Sequence, residues 1–156
     1  LVVLGTGYKV ERYLAPANYV GRGGITLDSA WSKDGPRSYL GMAMPGFPNF
    51  FMLYGPGSQA RGGGLPSWIE IWTRYMADKI VRMLEMGAKS VELRQGAFDA
   101  YNASVDERAR ELLWETHGKG GYYVTAEGRS FVNQPWRNYE YHAAIVKSGM
   151  DDFIIR

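Results

Sequence analysis

GPRSYLGMAMPGFPNFFMLYGPGSQARGGGL, residues 35–65, holds the reading on which the fold depends. Its middle, Phe50-Phe51-Met52-Leu53-Tyr54, is an unbroken apolar run set between Pro48-Asn49 and Gly55-Pro56-Gly57-Ser58. That pattern predicts a strand buried on both faces, as in α/β sheets. In such sheets ligands bind beyond the carboxyl ends of strands, which directs attention to the loop after Tyr54. Gly62, Gly63 and Gly64 remove three successive Cβ atoms there, so backbone N–H groups can approach a flat or anionic ligand. The same composition also suits a plain surface connection between a strand and a helix.

Downstream of this stretch the period changes. Ile69, Trp72, Met76, Ile80, Met83 and Leu84 recur at steps of three and four, predicting a helix over about 66–86 with that face inward. Pro66 suits its first turn and Gly87 its end. Trp68, Trp72 and the methionines read as core packing rather than a cofactor groove. Ser90–Arg94 alternates as a strand does, and Phe98, Tyr101, Val105, Ala109 and Leu112 mark a second helix over about 97–117. The charges of Asp106, Glu107, Arg108, Arg110 and Glu111 form its solvated face. Two short strands are expected at 122–125 and 130–132, a helix at 135–147, and a short strand or docked tail at 151–155.

Upstream, Leu1-Val2-Val3-Leu4 reads as a buried strand that turns at Gly5-Thr6-Gly7. It makes a poor dinucleotide fingerprint, since Val10 stands where G-x-G-x-x-G needs glycine. Residues 9–24 read as loop, with a helical turn near 10–14. Residues 25–27 and 37–42 read as strands that join 50–54 in a small sheet. Arg22-Gly23-Gly24 resembles one unit of an RNA-binding repeat, but a single copy is better read as a turn.

The composition narrows the function. With 156 residues, 46% hydrophobic and 22% charged, the chain suits one globular core. A net charge of +2, from 18 basic and 16 acidic residues spread along the chain, demands no nucleic-acid partner. No apolar run nears the roughly 20 residues that cross a bilayer, so no membrane partner is expected and a cytoplasmic location is. There is no cysteine, and His117 and His142 stand alone, so neither a thiolate nor a zinc centre is expected. No G-x-S-x-G elbow is present. Gly118-Lys119-Gly120-Gly121 lacks the spacing of a phosphate loop and reads as a turn.

Arg37-Ser38-Tyr39-Leu40-Gly41, then Gly46-Phe47-Pro48-Asn49-Phe50-Phe51 and Gly55-Pro56-Gly57-Ser58, resemble the C-terminal part of Baeyer–Villiger flavin monooxygenases. Gly5-Thr6-Gly7-Tyr8 is similar to the family's ATGY segment, with Gly5 in place of alanine. Tyr122-Tyr123-Val124, Ala126–Arg129 and Pro135-Trp136-Arg137 with Tyr141 are similar to the terminal region of acetophenone-type members, with Tyr122 where tryptophan is usual. The resemblance implies the C-terminal portion of an α/β flavoprotein with two Rossmann-like dinucleotide-binding domains for FAD and NADP. Residues 1–58 would be return strands of the FAD domain and 59–156 a helical and tail region, with the nucleotide fingerprints upstream of Leu1.

By the same resemblance the cofactors are FAD and NADPH, and the substrates are O2 and a small-molecule ketone, oxidised to an ester or lactone. Gly5, Thr6, Gly7, Tyr8, Gly55, Pro56 and Leu65 would contact the cofactor, and Gln59, Ala60 and Arg61 the substrate. The family's catalytic arginine belongs to the NADP domain, so Arg61 reads as a rim or specificity residue and the chain alone is expected to lack turnover. Two alternatives stand beside this: an N- or S-hydroxylating flavin monooxygenase, and a non-enzymatic aromatic-rich binding module.

Overall fold

The computed structural model describes residues 1–5, 10, 12–112, 123–126 and 128–156. The long helix forms as the spacing predicts: α2 spans Leu65–Glu85, with Pro66 in its first turn. It closes at Gly87, whose φ is +68°. There the Gly87 N–H donates to Leu84 O at 2.9 Å and the Ala88 N–H to Met83 O at 3.0 Å, a paired closure that satisfies the last carbonyls. A shorter α1, Leu27–Trp31, precedes it. After it come β1 (Val91–Leu93), α3 (Gln95–Ala109), α4 (Asn138–Lys147) and β2 (Phe153–Ile155).

β1 and β2 pair antiparallel in the register Val91↔Ile155, Glu92↔Ile154, Leu93↔Phe153. This two-stranded sheet carries the edge of the main core. Trp68, Trp72, Tyr75 and Met83 of α2 pack there with Val91, Leu93, Tyr141, Ile145, Phe153 and the 39–43 segment. A second cluster gathers Leu27, Trp31, Met44, Phe47 and Met52. Both are rich in wide aromatic and methionine side chains, which fill space between irregular segments where no ladder of strands sets the spacing.

Several expected strands are not strands. Residues 50–54 form no ladder. Phe51 makes one isolated bridge to Ala43, and Asn49 (φ +57°) and Tyr54 (φ +59°) turn the chain at either end. Residues 37–42 are likewise a turn closed by the Tyr39↔Ala43 bridge, with Leu40 at φ +52°. Thr26 is no strand centre. It caps α1, its Oγ1 accepting from the Ser29 N–H at 3.1 Å. The small sheet expected from these three stretches therefore does not exist. Leu27, residues 38–42 and Met52 reach the core, but the turns between the stretches leave no run long enough to pair.

Leu1–Leu4 are exposed and irregular rather than a buried strand, since among the described residues no strand lies beside them. Residues 13–16 are a turn, not helix. Of the two strands expected around residue 126, a single Val124↔Ser130 bridge is described, and Tyr122 lies outside the described residues. The second helix ends at Ala109, with 110–112 in a turn rather than continuing towards 117; residues 113–121, with the Gly118–Gly121 turn, lie outside the described residues.

Candidate functional site

Two tight turns, Leu40-Gly41 and Tyr54-Gly55, meet back to back. The Gly55 N–H donates to Gly41 O at 3.0 Å, and the Met52 N–H to Met42 O at 2.8 Å. Leu40, Gly41 and Tyr54 all have positive φ. For bulky Leu and Tyr that conformation stores backbone strain, which persists only where the surroundings over-determine it and which concentrates at ligand sites. Gly41 tolerates no side chain: a Cβ there would lie 2.3 Å from Ser58 Cβ.

From this junction the loop runs along the segment 131–135. The Gly57 N–H donates to Phe131 O at 2.8 Å, the Gln59 N–H to Val132 O at 2.9 Å, and the Gln134 N–H to Gln59 O at 3.1 Å. Ser38 Oγ donates to Pro56 O at 2.6 Å. Arg61 reaches Pro135 O, and Trp68 Nε1 donates to Gly62 O at 2.9 Å. Trp68 in turn packs on Tyr141, ring centroids 5.2 Å apart. The Tyr141 hydroxyl donates to Leu40 O at 2.8 Å and accepts from Trp72 Nε1 at 3.2 Å. Loop, helix α2 and the first turn are thus one connected structure. Burial pushes the Tyr141 hydroxyl pKa up, so it stays a neutral donor.

Among the residues singled out by sequence, Gly55 and Pro56 are buried in this junction. Gln59 and Ala60 are half-buried beside it, and Arg61 and Leu65 are exposed at the loop and helix start. Gly5 lies apart, with nothing within 4 Å of its Cβ position. Thr6, Gly7 and Tyr8 lie outside the described residues. Sequence reading missed Tyr141, Asn138 and the 131–135 segment as partners of the loop. Only their contacts reveal them, for no periodicity links residues some seventy positions apart.

The N–H groups of Gly55, Gly57 and Gln59 are spent inside the chain, so they offer no cradle to a phosphate. What faces outward near the junction is Leu53, Tyr54 and Leu65, with the Arg61 side chain and the Gly63-Gly64 backbone. Such a surface fits the ring of a flavin or an apolar substrate by contact.

Elsewhere, a groove of about 700 Å³ lies between α2 and α4. Its cations are occupied: Arg74 pairs with Glu70, Arg82 with Asp78, and buried Lys79 donates to Ser148 O at 2.8 Å and Asp78 Oδ2 at 3.1 Å. The Arg22 guanidinium is likewise engaged, on Glu92. Among the described residues no group of acidic, histidine or cysteine side chains could hold a metal ion, and no helix is long and apolar enough to cross a membrane.

No protein-family model matches the chain. Individual proteins do. It is 40% identical over 119 residues to a Baeyer–Villiger monooxygenase of Pseudooceanicola batsensis, covering 73% of this chain and 21% of that one. It is 31% identical over 160 residues to an FAD-binding monooxygenase of Aspergillus niger, covering 100% of this chain and 26% of that one. The fold matches a steroid monooxygenase solved with NADP, at a TM-score of 0.76 and 33% identity, over 88% of this chain and 26% of that chain. The chain thus spans about a quarter of the length of these relatives.

Proposed function

We propose that this chain, allied by sequence and fold to the C-terminal part of the Baeyer–Villiger flavin monooxygenases, belongs to an FAD- and NADPH-dependent enzyme that inserts one oxygen atom of O2 beside a ketone carbonyl. The observation that carries the reading is the joint match to the steroid monooxygenase, 33% identity with a TM-score of 0.76. In that enzyme the redox chemistry is the flavin's, and the protein orients substrate and excludes water.

Within this chain, Leu53, Tyr54 and Leu65 supply the apolar surface beside the cofactor ring. Gln59, Ala60 and Arg61 line the substrate side. Gly55 and Pro56 act from beneath, by fixing the turn that presents Tyr54. Gly5-Thr6-Gly7-Tyr8 reach the cofactor through their backbone. Residues 1–58 serve the flavin domain and 59–156 form the helical and tail region. The phosphates are held by residues outside this chain, in keeping with the spent N–H groups of the 55–59 loop. The working partners are small molecules, a ketone and O2, without nucleic acid or membrane, and the location is cytoplasmic.

The test is a whole enzyme in which this segment replaces the corresponding quarter of the steroid monooxygenase. Ketone-dependent NADPH oxidation with an ester or lactone product, seen by mass spectrometry, is the expected result. Flavin binding without any ketone-dependent product, or oxygenation of amines or sulfides alone, would sink the proposal.

A further inference from the structure

We infer that Trp68 is a positioning residue for the substrate side of the site, holding the Arg61–Gly64 stretch in place through the carbonyl of Gly62. This rests on the reading of that loop as substrate-lining. The geometry behind it is local and independent of any cofactor.

Trp68 stands in the first turn of α2 and is 6% exposed, although the residues around it, from Gly63 to Ser67, are exposed. Its indole Nε1 reaches back six residues to Gly62 O at 2.9 Å. A tryptophan indole has one donor and no acceptor, so a buried one is fully satisfied by this single bond and fixes the carbonyl that receives it. The loop fits closely around the ring. Gly63 sits at φ +80°, and a Cβ there would lie 3.1 Å from Trp68 Nε1. A Cβ on Gly62 would lie 3.3 Å from Asn138 Nδ2. The Asn138 Oδ1 is buried with no partner, so that side chain fills the space behind the loop without bonding it. Trp68 is braced in turn by Tyr141 at 5.2 Å and Trp72 at 6.2 Å between ring centroids.

Glycine runs are ordinarily mobile, since they lose most conformational freedom on ordering. Here the indole and the Arg61–Pro135 bond hold both sides of Gly62, so the three glycines form a shaped wall instead. A wall of fixed shape selects among substrates at the binding stage and touches no reacting atom. Its loss raises KM while leaving kcat in place.

Two variants test this, Trp68→Phe, which removes the donor but keeps an aromatic ring, and Gly63→Ala, which crowds the indole from an exposed position. In the 156-residue chain, trypsin cleavage at the Arg61–Gly62 bond, between an exposed and a half-buried residue, reports the order of the loop. Each variant is expected to raise the cleavage rate by at least about fivefold, the population change that follows from losing one neutral hydrogen bond. Thermal unfolding identifies any variant that fails to fold, and Gly63→Ala, at the surface, keeps the test open if Trp68→Phe does.

In the chimaeric monooxygenase described above, the same substitutions are expected to raise the ketone KM about fivefold with kcat within about twofold. Unchanged cleavage in both folded variants overturns the proposal, as does faster cleavage with an unchanged KM. A parent chimaera without ketone turnover fails the monooxygenase reading instead, and the cleavage rates still decide whether Trp68 holds the loop.

Discussion

Glu92 and Arg22, seventy residues apart, join the turn at 22–24 to strand β1: Arg22 Nε donates to Glu92 Oε2 at 3.2 Å. Glu92 is 3% exposed, and it also accepts from the Gly46 N–H at 3.2 Å and Arg156 NH1 at 3.3 Å. The hydrogen bond from Arg22 is the main cause that holds its carboxyl below the ordinary value, against the opposing effect of burial. A carboxylate depressed in the folded state adds stability above its unfolded pKa, near 4.3. That stability is lost as pH falls through the lower, folded value. The expected result is a melting temperature that falls with acidification below about pH 4.3, and a shallower fall in Glu92→Gln. At neutral pH that variant should lose about 2 kcal/mol, the scale of hydrogen bonds to a charged group. Thermal unfolding at several pH values checks both, and an unchanged acid slope in Glu92→Gln would remove Glu92 as its source.

Tyr141→Phe leaves Leu40 O and Trp72 Nε1 without their shared partner inside the core, for the hydroxyl serves both, at 2.8 Å and 3.2 Å. Buried groups left unsatisfied cost about 1–3 kcal/mol each, and relaxation lowers the sum, so a loss of about 2–3 kcal/mol is expected. Urea unfolding followed by tryptophan fluorescence measures it. A loss under about 0.5 kcal/mol would mean that water or a shifted backbone replaces the hydroxyl.

Gly41→Ala and Gly23→Ala separate packing from backbone strain. Both glycines have positive φ, +76° and +72°, yet a Cβ on Gly41 would meet Ser58 at 2.3 Å while Gly23 has open space. Gly23→Ala should cost about 1 kcal/mol from conformation alone. Gly41→Ala must also part the two turns and should cost at least about 3 kcal/mol. Equal losses in denaturant titrations would show that conformation, not the contact with Ser58, fixes Gly41.

Local rules found what is local. Pro66 and Gly87 bounded α2, the alternation at 90–94 marked β1, and the tail at 151–155 contained β2. The glycine loop after Tyr54 drew attention as a candidate site because turn residues and an apolar run stood side by side. The rest depended on contacts across the chain. In β1, alternation placed Glu92 on the face opposite Val91 and Leu93, which reads as solvent. Arg22 and Arg156 cover that face instead, so all three residues are buried. The run 50–54 misled as well. Its apolar content promised burial on both faces, yet only Met52 is buried, Phe50 and Phe51 are half-buried, and Leu53 and Tyr54 are exposed. Two positive-φ residues that are not glycine, Asn49 and Tyr54, turn the chain at either end, and composition does not announce those.

The phase of α2 supplies the last prediction. Spacing put Ile69, Trp72, Met76, Ile80, Met83 and Leu84 inward, yet Ile69, Ile80 and Leu84 are 38%, 42% and 63% exposed. The buried face keeps Trp72 and Met83 from that set and adds Trp68, Tyr75 and Lys79, so it is displaced around the helix. Aromatic area outweighs the aliphatic residues, because each wide ring buries more surface and Tyr75 also bonds Ser148. Lys79 is tolerated inside because its ammonium ends on Ser148 O and lies 4.6 Å from the centre of the Tyr75 ring. Ile80→Ser and Leu84→Ser should therefore each change the stability of this chain by less than about 1 kcal/mol. Met83→Ala and Trp72→Ala should cost about 2–5 kcal/mol, with the tryptophan nearer the upper end. Denaturant unfolding of the four variants decides the phase. Large losses at Ile80 and Leu84 would restore them to the inner face.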